Sequence, residues 1–166
     1  MVTAGTSTLT MTGTSNTITG GGNTLANLTI DPATAGTITL QTSDLTVSST
    51  LTVAAGDTLS IAASRTLTHT GATLTWGDGT STISGSGTLR FTDASGGPGT
   101  GGVLSAVTRF DASSASIAST TFDARTYSGT VELYANSGVA KTVTCADAST
   151  YTLSGASSHL YLYADG

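Results

Sequence analysis

Positive charge is the scarcest thing in this sequence. Its 166 residues hold one lysine, Lys141, and four arginines, Arg65, Arg90, Arg109 and Arg125, against ten acids, for a net charge of −5. Five cations are too few to neutralise a phosphate backbone, so no nucleic-acid partner is expected. Charged residues of all kinds make up 9%, far below the quarter usual in a globular chain. Cysteine occurs once, as Cys145, which rules out an internal disulfide. Two prolines are too few for a proline-rich stalk. No apolar run reaches the roughly 18 residues of a membrane helix, so no membrane insertion is expected. No basic-then-apolar start marks a signal peptide. Few lysines, many threonines and a single cysteine fit an exported surface protein, in which case Met1 opens a mature segment or an expressed fragment. Helix signals are missing too, because no apolar series runs at i, i+3, i+4.

What is present is threonine, at about 37 positions, with 21 glycines and 37% hydrophobic residues. A polar chain of low charge could be disordered. Here the apolar residues keep a strict period of two, which disorder does not require. Segments such as "GTITLQ", "TLTVAA", "RTLTHT", "ATLTW" and "GTVELYA" read as short strands bounded by Gly, Asn, Asp or Ser. The spacing between them carries more. Leu45, Leu67 and Leu89 fall 22 apart; Leu28, Leu51 and Leu74 step by 23; Ile38, Leu59 and Ile83 step by 21 and 24. Three interleaved series with one period mean stacked repeats. The predicted fold is all-β, a right-handed parallel β-solenoid (β-helix) of about 22 residues per coil and roughly seven coils. Each coil gives one strand to each of three sheets, with Leu, Ile and Val inward and Thr outward. An antiparallel β-sandwich fits the local strand spacing but does not generate the shared 22-residue phase.

The organisation predicted is one domain over 1–166. Regular coils run over about 7–92, a Gly-rich loop over 93–102 leaves the solenoid, and less regular coils follow over 103–166. Phe91, Phe110 and Phe122 replace aliphatic residues there and point to a differently shaped coil. "HLYLYADG" ends the chain on a strand without a polar cap, and an open solenoid end exposes unpaired backbone.

"GGGNTLANLTID" followed by "LTVSSTLTVAAGDTLSIAASRTLTHTG" resembles the Thr/Gly-rich repeats of right-handed parallel β-helix surface proteins. Autotransporter-like passengers, filamentous adhesins and phage tail-fibre repeats are of this type. The resemblance covers roughly residues 7–92 and lies in cadence. It implies an extracellular structural or adhesive role and supplies no catalytic residue.

The candidate site residues are few. Of the acids Asp31, Asp44, Asp57, Asp78, Asp93, Asp111, Asp123, Glu132, Asp147 and Asp165, most sit at strand ends next to Gly, Ser or Ala, where Asp makes turn hydrogen bonds. "LRFTDAS", "TRFDASS" and "TFDARTY" place Arg90, Arg109 and Arg125 near Asp93, Asp111 and Asp123. Stacked on adjacent coils they form either a surface ion-pair network of small energetic worth or a ligand face where Arg, Asp and a ring meet a glycan. His69 has inward parity beside Leu67, and Cys145 inward parity after Val143, so both read as interior positions. No metal, nucleophile-elbow or phosphate-loop motif occurs, so no cofactor and no enzymatic activity are expected. Asn27-Leu28-Thr29 is a formal glycosylation sequon within a strand. T-x-T recurs at 37–39, 50–52 and 66–68 in different phases of the repeat, which spreads threonine over different sheets rather than on one ice-binding face. The expected function is a non-catalytic extracellular or cell-surface fibre module that self-associates through its solenoid ends. A glycan-binding adhesin module or an ice-binding protein is the alternative.

Overall fold

The computed structural model of the chain describes residues 6–92, 97–111, 119–122, 125–134, 142–145, 152–153 and 160–163. Strands β1 (Thr8–Met11), β2 (Ser15–Ile18), β3 (Thr24–Ile30), β4 (Thr37–Leu40), β5 (Leu45–Val53) and β6 (Thr58–Ile61) begin the series. They are followed by β7 (Thr66–His69), β8 (Thr73–Trp76), β9 (Thr82–Ser84), β10 (Thr88–Phe91), β11 (Val103–Leu104) and β12 (Val107–Asp111). β13 (Ser119–Phe122), β14 (Thr126–Tyr127), β15 (Val131–Tyr134), β16 (Thr142–Cys145), β17 (Thr152–Leu153) and β18 (Leu160–Tyr163) complete it. There is no helix among the described residues.

Every pairing between these strands is parallel and joins residues about one coil apart. That topology is a β-solenoid, and it excludes the antiparallel sandwich. One sheet runs β1-β3-β5-β7-β10-β12-β15-β18, with β8 also on β5; a second runs β2-β4-β6-β9-β11. The three spacing series of the sequence are three columns of the core. Leu45 pairs with Leu67 and Leu67 with Leu89; Leu28 with Leu51 and Leu51 with Leu74; Ile38 with Leu59 and Leu59 with Ile83. All but Leu74 are buried, and Leu74 packs against the same core. Alternation does the sorting. In β6 and β7 the first and third residues are half-buried and the second and fourth buried, so threonine covers a pleated wall whose branched side chains favour strand geometry.

Two features differ from the predicted arrangement. The expected three sheets are two large ones, because β3 and β5 are long enough to serve two series. β5 pairs with β7 through Leu45–Val47 and with β8 through Thr50–Val53, and it takes up the bend with one extra residue at Ser48–Ser49, opposite Ala26 of β3, where the register shifts. The five-stranded sheet counts about five turns, against roughly seven coils by arithmetic. Among the described strands the second sheet ends at β11 while the first continues through β12, β15 and β18, so the two large sheets run together for about five turns, and beyond them the spacing varies. Thr88 pairs with Val107, 19 residues on, Thr108 with Val131, 23 on, and Val131 with Leu160, 29 on. Past β11 the long sheet continues through β12, β15 and β18, and the other described pairings form the two-stranded sheets β13-β16 and β14-β17.

Corner residues tie one coil to the next. Asp44 Oδ1 accepts from the Thr66 amide at 2.9 Å, and buried Asp57 accepts from the Gly36 amide at 3.0 Å. Asp78 Oδ1 closes its own turn by accepting from the Thr80 amide, the Thr80 hydroxyl and the Ser81 amide. The Thr80 hydroxyl bond, with those amides, holds the Asp78 carboxyl below the ordinary carboxylate value. These acids do turn chemistry, as their flanking residues predict.

Candidate functional site

On the outer face of the long sheet the threonine covering stops at β10. The outward column reads Thr46, Thr68, Arg90, Arg109, Glu132, Tyr161, each paired with the next across a strand boundary. A neighbouring column holds Asp111 paired with Tyr134. The strand period of two sends Arg90 and Arg109 outward while Leu89, Phe91 and Phe110 fill the interior. Behind them an aromatic column supports the wall. His69 meets Phe91 edge-on at 5.8 Å, Phe91 stacks on Phe110 at 5.5 Å, and Phe110 meets Tyr127 edge-on at 6.3 Å. His69 is buried, as its parity predicts.

Arg90 Nε donates to Asp111 Oδ2 at 2.7 Å, and Arg109 Nε donates to Glu132 Oε2 at 2.6 Å. Asp111 is only 5% exposed, and a carboxylate so covered requires a charged or hydrogen-bonding partner. The Arg109 guanidinium also lies over the Tyr134 ring, 4.5 Å from its centre. Thus Arg90, Arg109 and Asp111 do come together in a ladder. Asp93 and Asp123 lie outside the described residues, as do the side chain of Cys145 and all of His159.

Arg125 belongs to a different place. It is buried, its guanidinium 5.1 Å from the centre of the Trp76 ring and 5.8 Å from that of Tyr127. It donates to the carbonyls of Pro98, Gly99 and Gly102 at 3.3, 3.1 and 2.9 Å. Trp76 Nε1 donates to the Pro98 carbonyl at 2.6 Å. Residues 97–102 of the Gly-rich loop therefore lie on the solenoid wall, where the sequence suggested departure from it. The cause is chemical: a ring and a guanidinium together satisfy carbonyls that the loop's own residues leave over.

Glu132, named in the sequence only as one acid among ten, and Tyr134, Tyr161 and Trp76 are the participants that sequence reasoning did not place. The signal for Glu132 was its position 23 residues after Arg109 on a strand of equal parity. Among the described residues no group of three or more His, Cys, Asp or Glu could hold a metal ion. The ladder offers hydrogen-bond donors, carboxylate oxygens and a ring on a flat wall, which is binding chemistry.

The ends of the columns form a second feature. Leu162 pairs with Leu133 at the end of the aromatic column and is 71% exposed. At the opposite end a cavity of about 160 Å³ opens among Leu9, Ile18, Leu25 and Leu45. A third is the threonine grid on β1, β3, β5 and β8. Thr8 and Thr10 pair with Asn27 and Thr29, these with Thr50 and Thr52, and these with Thr73 and Thr75. The pair 37–39 lies in the other large sheet, as its phase predicts, but 66–68 shares the long sheet with 50–52, and four successive rungs align on this column with Asn27 in place of one threonine. Compared with known proteins, the chain matches no family model, no curated protein and no solved structure.

Proposed function

We propose that the chain is a non-catalytic structural module of an extracellular fibre or cell surface, a stiff rod that associates end to end with further copies. The resemblance to adhesin, passenger and fibre repeats suggests this setting. The observation that carries the reading is the open core column. A leucine in register with Leu133 stands 71% exposed beyond β15, while apolar side chains line a cavity at the other end. A parallel ladder adds a further strand without changing its register, so a second copy continues both the hydrogen bonds and the apolar columns. Electron microscopy across a concentration series tests it. Filaments of stacked rods are expected, and Leu162→Asp is expected to leave single short particles. Single particles of the unaltered chain at every concentration would sink the reading.

The in-register threonines favour a second reading, ice binding. Rungs about 4.8 Å apart and outward residues about 6.7 Å apart along a strand make a regular uncharged grid of hydroxyls and methyls. Thermal hysteresis of the purified chain decides this, and its absence removes the reading.

A further inference from the structure

We propose that the outer wall of β10, β12, β15 and β18 binds a neutral carbohydrate chain laid along the solenoid axis, across the strands. Four observations converge on this wall. First, the outward column changes from Thr46 and Thr68 to Arg90, Arg109, Glu132 and Tyr161 within one continuous ladder. Second, each arginine spends only Nε on its acid, and among the described residues neither makes another hydrogen bond. A guanidinium has five N–H donors, so each retains the four on its terminal nitrogens. Third, these donors are pre-set. Asp111 and Glu132 clamp the two head groups, and Tyr134 backs that of Arg109. Clamped side chains lose little further freedom on binding. Fourth, Tyr161 follows Glu132 in the column and is 45% exposed. An exposed ring at the end of a row of polar groups suits the apolar C–H face of a sugar.

The charges select the ligand class. Arg90 and Arg109 are balanced by Asp111 and Glu132, on a molecule of net charge −5. A sulfated or uronic polymer would meet no net attraction here. Vicinal hydroxyls both accept and donate, which matches the guanidinium donors standing beside the partly exposed Glu132 carboxylate. From Arg90 to Tyr161 is three rung steps, about 14 Å, enough for a few sugar units. The rod reading is independent of this wall.

The experiment is calorimetric titration of the full chain with cellohexaose, mannohexaose and chitohexaose, with heparin alongside. At least one neutral hexasaccharide is expected to bind saturably. Tyr161→Ala, and the pair Arg90→Gln with Arg109→Gln, are expected to weaken it about tenfold or more, as loss of a central contact does. Thr46→Ala with Thr68→Ala, in the same column but outside the patch, is expected to bind unchanged. If the double glutamine variant unfolds, Tyr161→Ala decides, because it leaves both ion pairs in place. Binding of no neutral hexasaccharide, of heparin alone, or equal binding by Tyr161→Ala overturns the proposal.

Discussion

Arg125 shows how one side chain can hold a loop. Its guanidinium lies over both the Trp76 and the Tyr127 ring and donates to three carbonyls of residues 97–102. Lysine would keep the charge but lose the planar fork that reaches several acceptors at once. Gly102 is the loop's matching requirement. Its φ of +60° is left-handed, and a Cβ there would meet the Trp76 ring. Arg125→Ala and Gly102→Ala are therefore each expected to destabilise by about 2 kcal/mol or more. Trp76 is the lone tryptophan, so denaturant unfolding followed by its fluorescence reads both effects. Emission of Arg125→Ala is expected to shift red before unfolding, as water reaches the ring. An unshifted spectrum and unchanged midpoint would mean that the loop holds without the guanidinium.

At the scale of the strand, stability lies in the columns. Leu51 stacks between Leu28 and Leu74, fully buried, whereas Leu74 is half-buried. Leu51→Ala is expected to cost about 3 kcal/mol and Leu74→Ala roughly half of that, since the loss scales with the cavity left behind. Denaturant midpoints check the ratio; equal losses would mean that the columns do not carry the fold. These columns were legible because an inward leucine recurring once per coil is visible without knowing where the corners lie. The sharing of β3 and β5 between two series was hidden, since a strand that bends while staying paired has the same alternation as two separate strands. The lengthened coils were hidden for a related reason: from Thr88 onward the partner lies 19, 23 or 29 residues away, and no period announces it. Hence local clustering gathered Arg90, Arg109 and Asp111 but set Asp111 beside Arg109, whereas the structure pairs it with Arg90 from the coil before. Glu132, one coil beyond Arg109, was not gathered with them. The clamp of residues 97–102 had no sequence signal beyond the presence of Trp76 and Arg125.

For the whole molecule, the topology makes stability one-dimensional. Strand pairing among the described residues joins each coil to the coil before and the coil after, so local stability is chiefly a sum of its own term and two interfaces, with the Arg125–Trp76 contact a longer tie. β5, β6 and β7 have partners on both sides, while β1 and β18 have one described partner each. Amide hydrogen exchange is therefore expected to be slowest in β5 to β7 and fastest in β1 and β18, graded between fraying and global unfolding. Uniform protection along the chain would mean instead that all coils open together. The same gradient bears on stacking. If a second copy docks at an end of the ladder, it adds a strand partner there, so protection of β18 is expected to rise with protein concentration while that of β6 stays level. The wall of β10 to β15 faces sideways and gains nothing from such a neighbour. A rise confined to the end strands would thus locate self-association at the ends of the solenoid, and a rise along the wall would locate it on the face that bears Arg90 and Arg109.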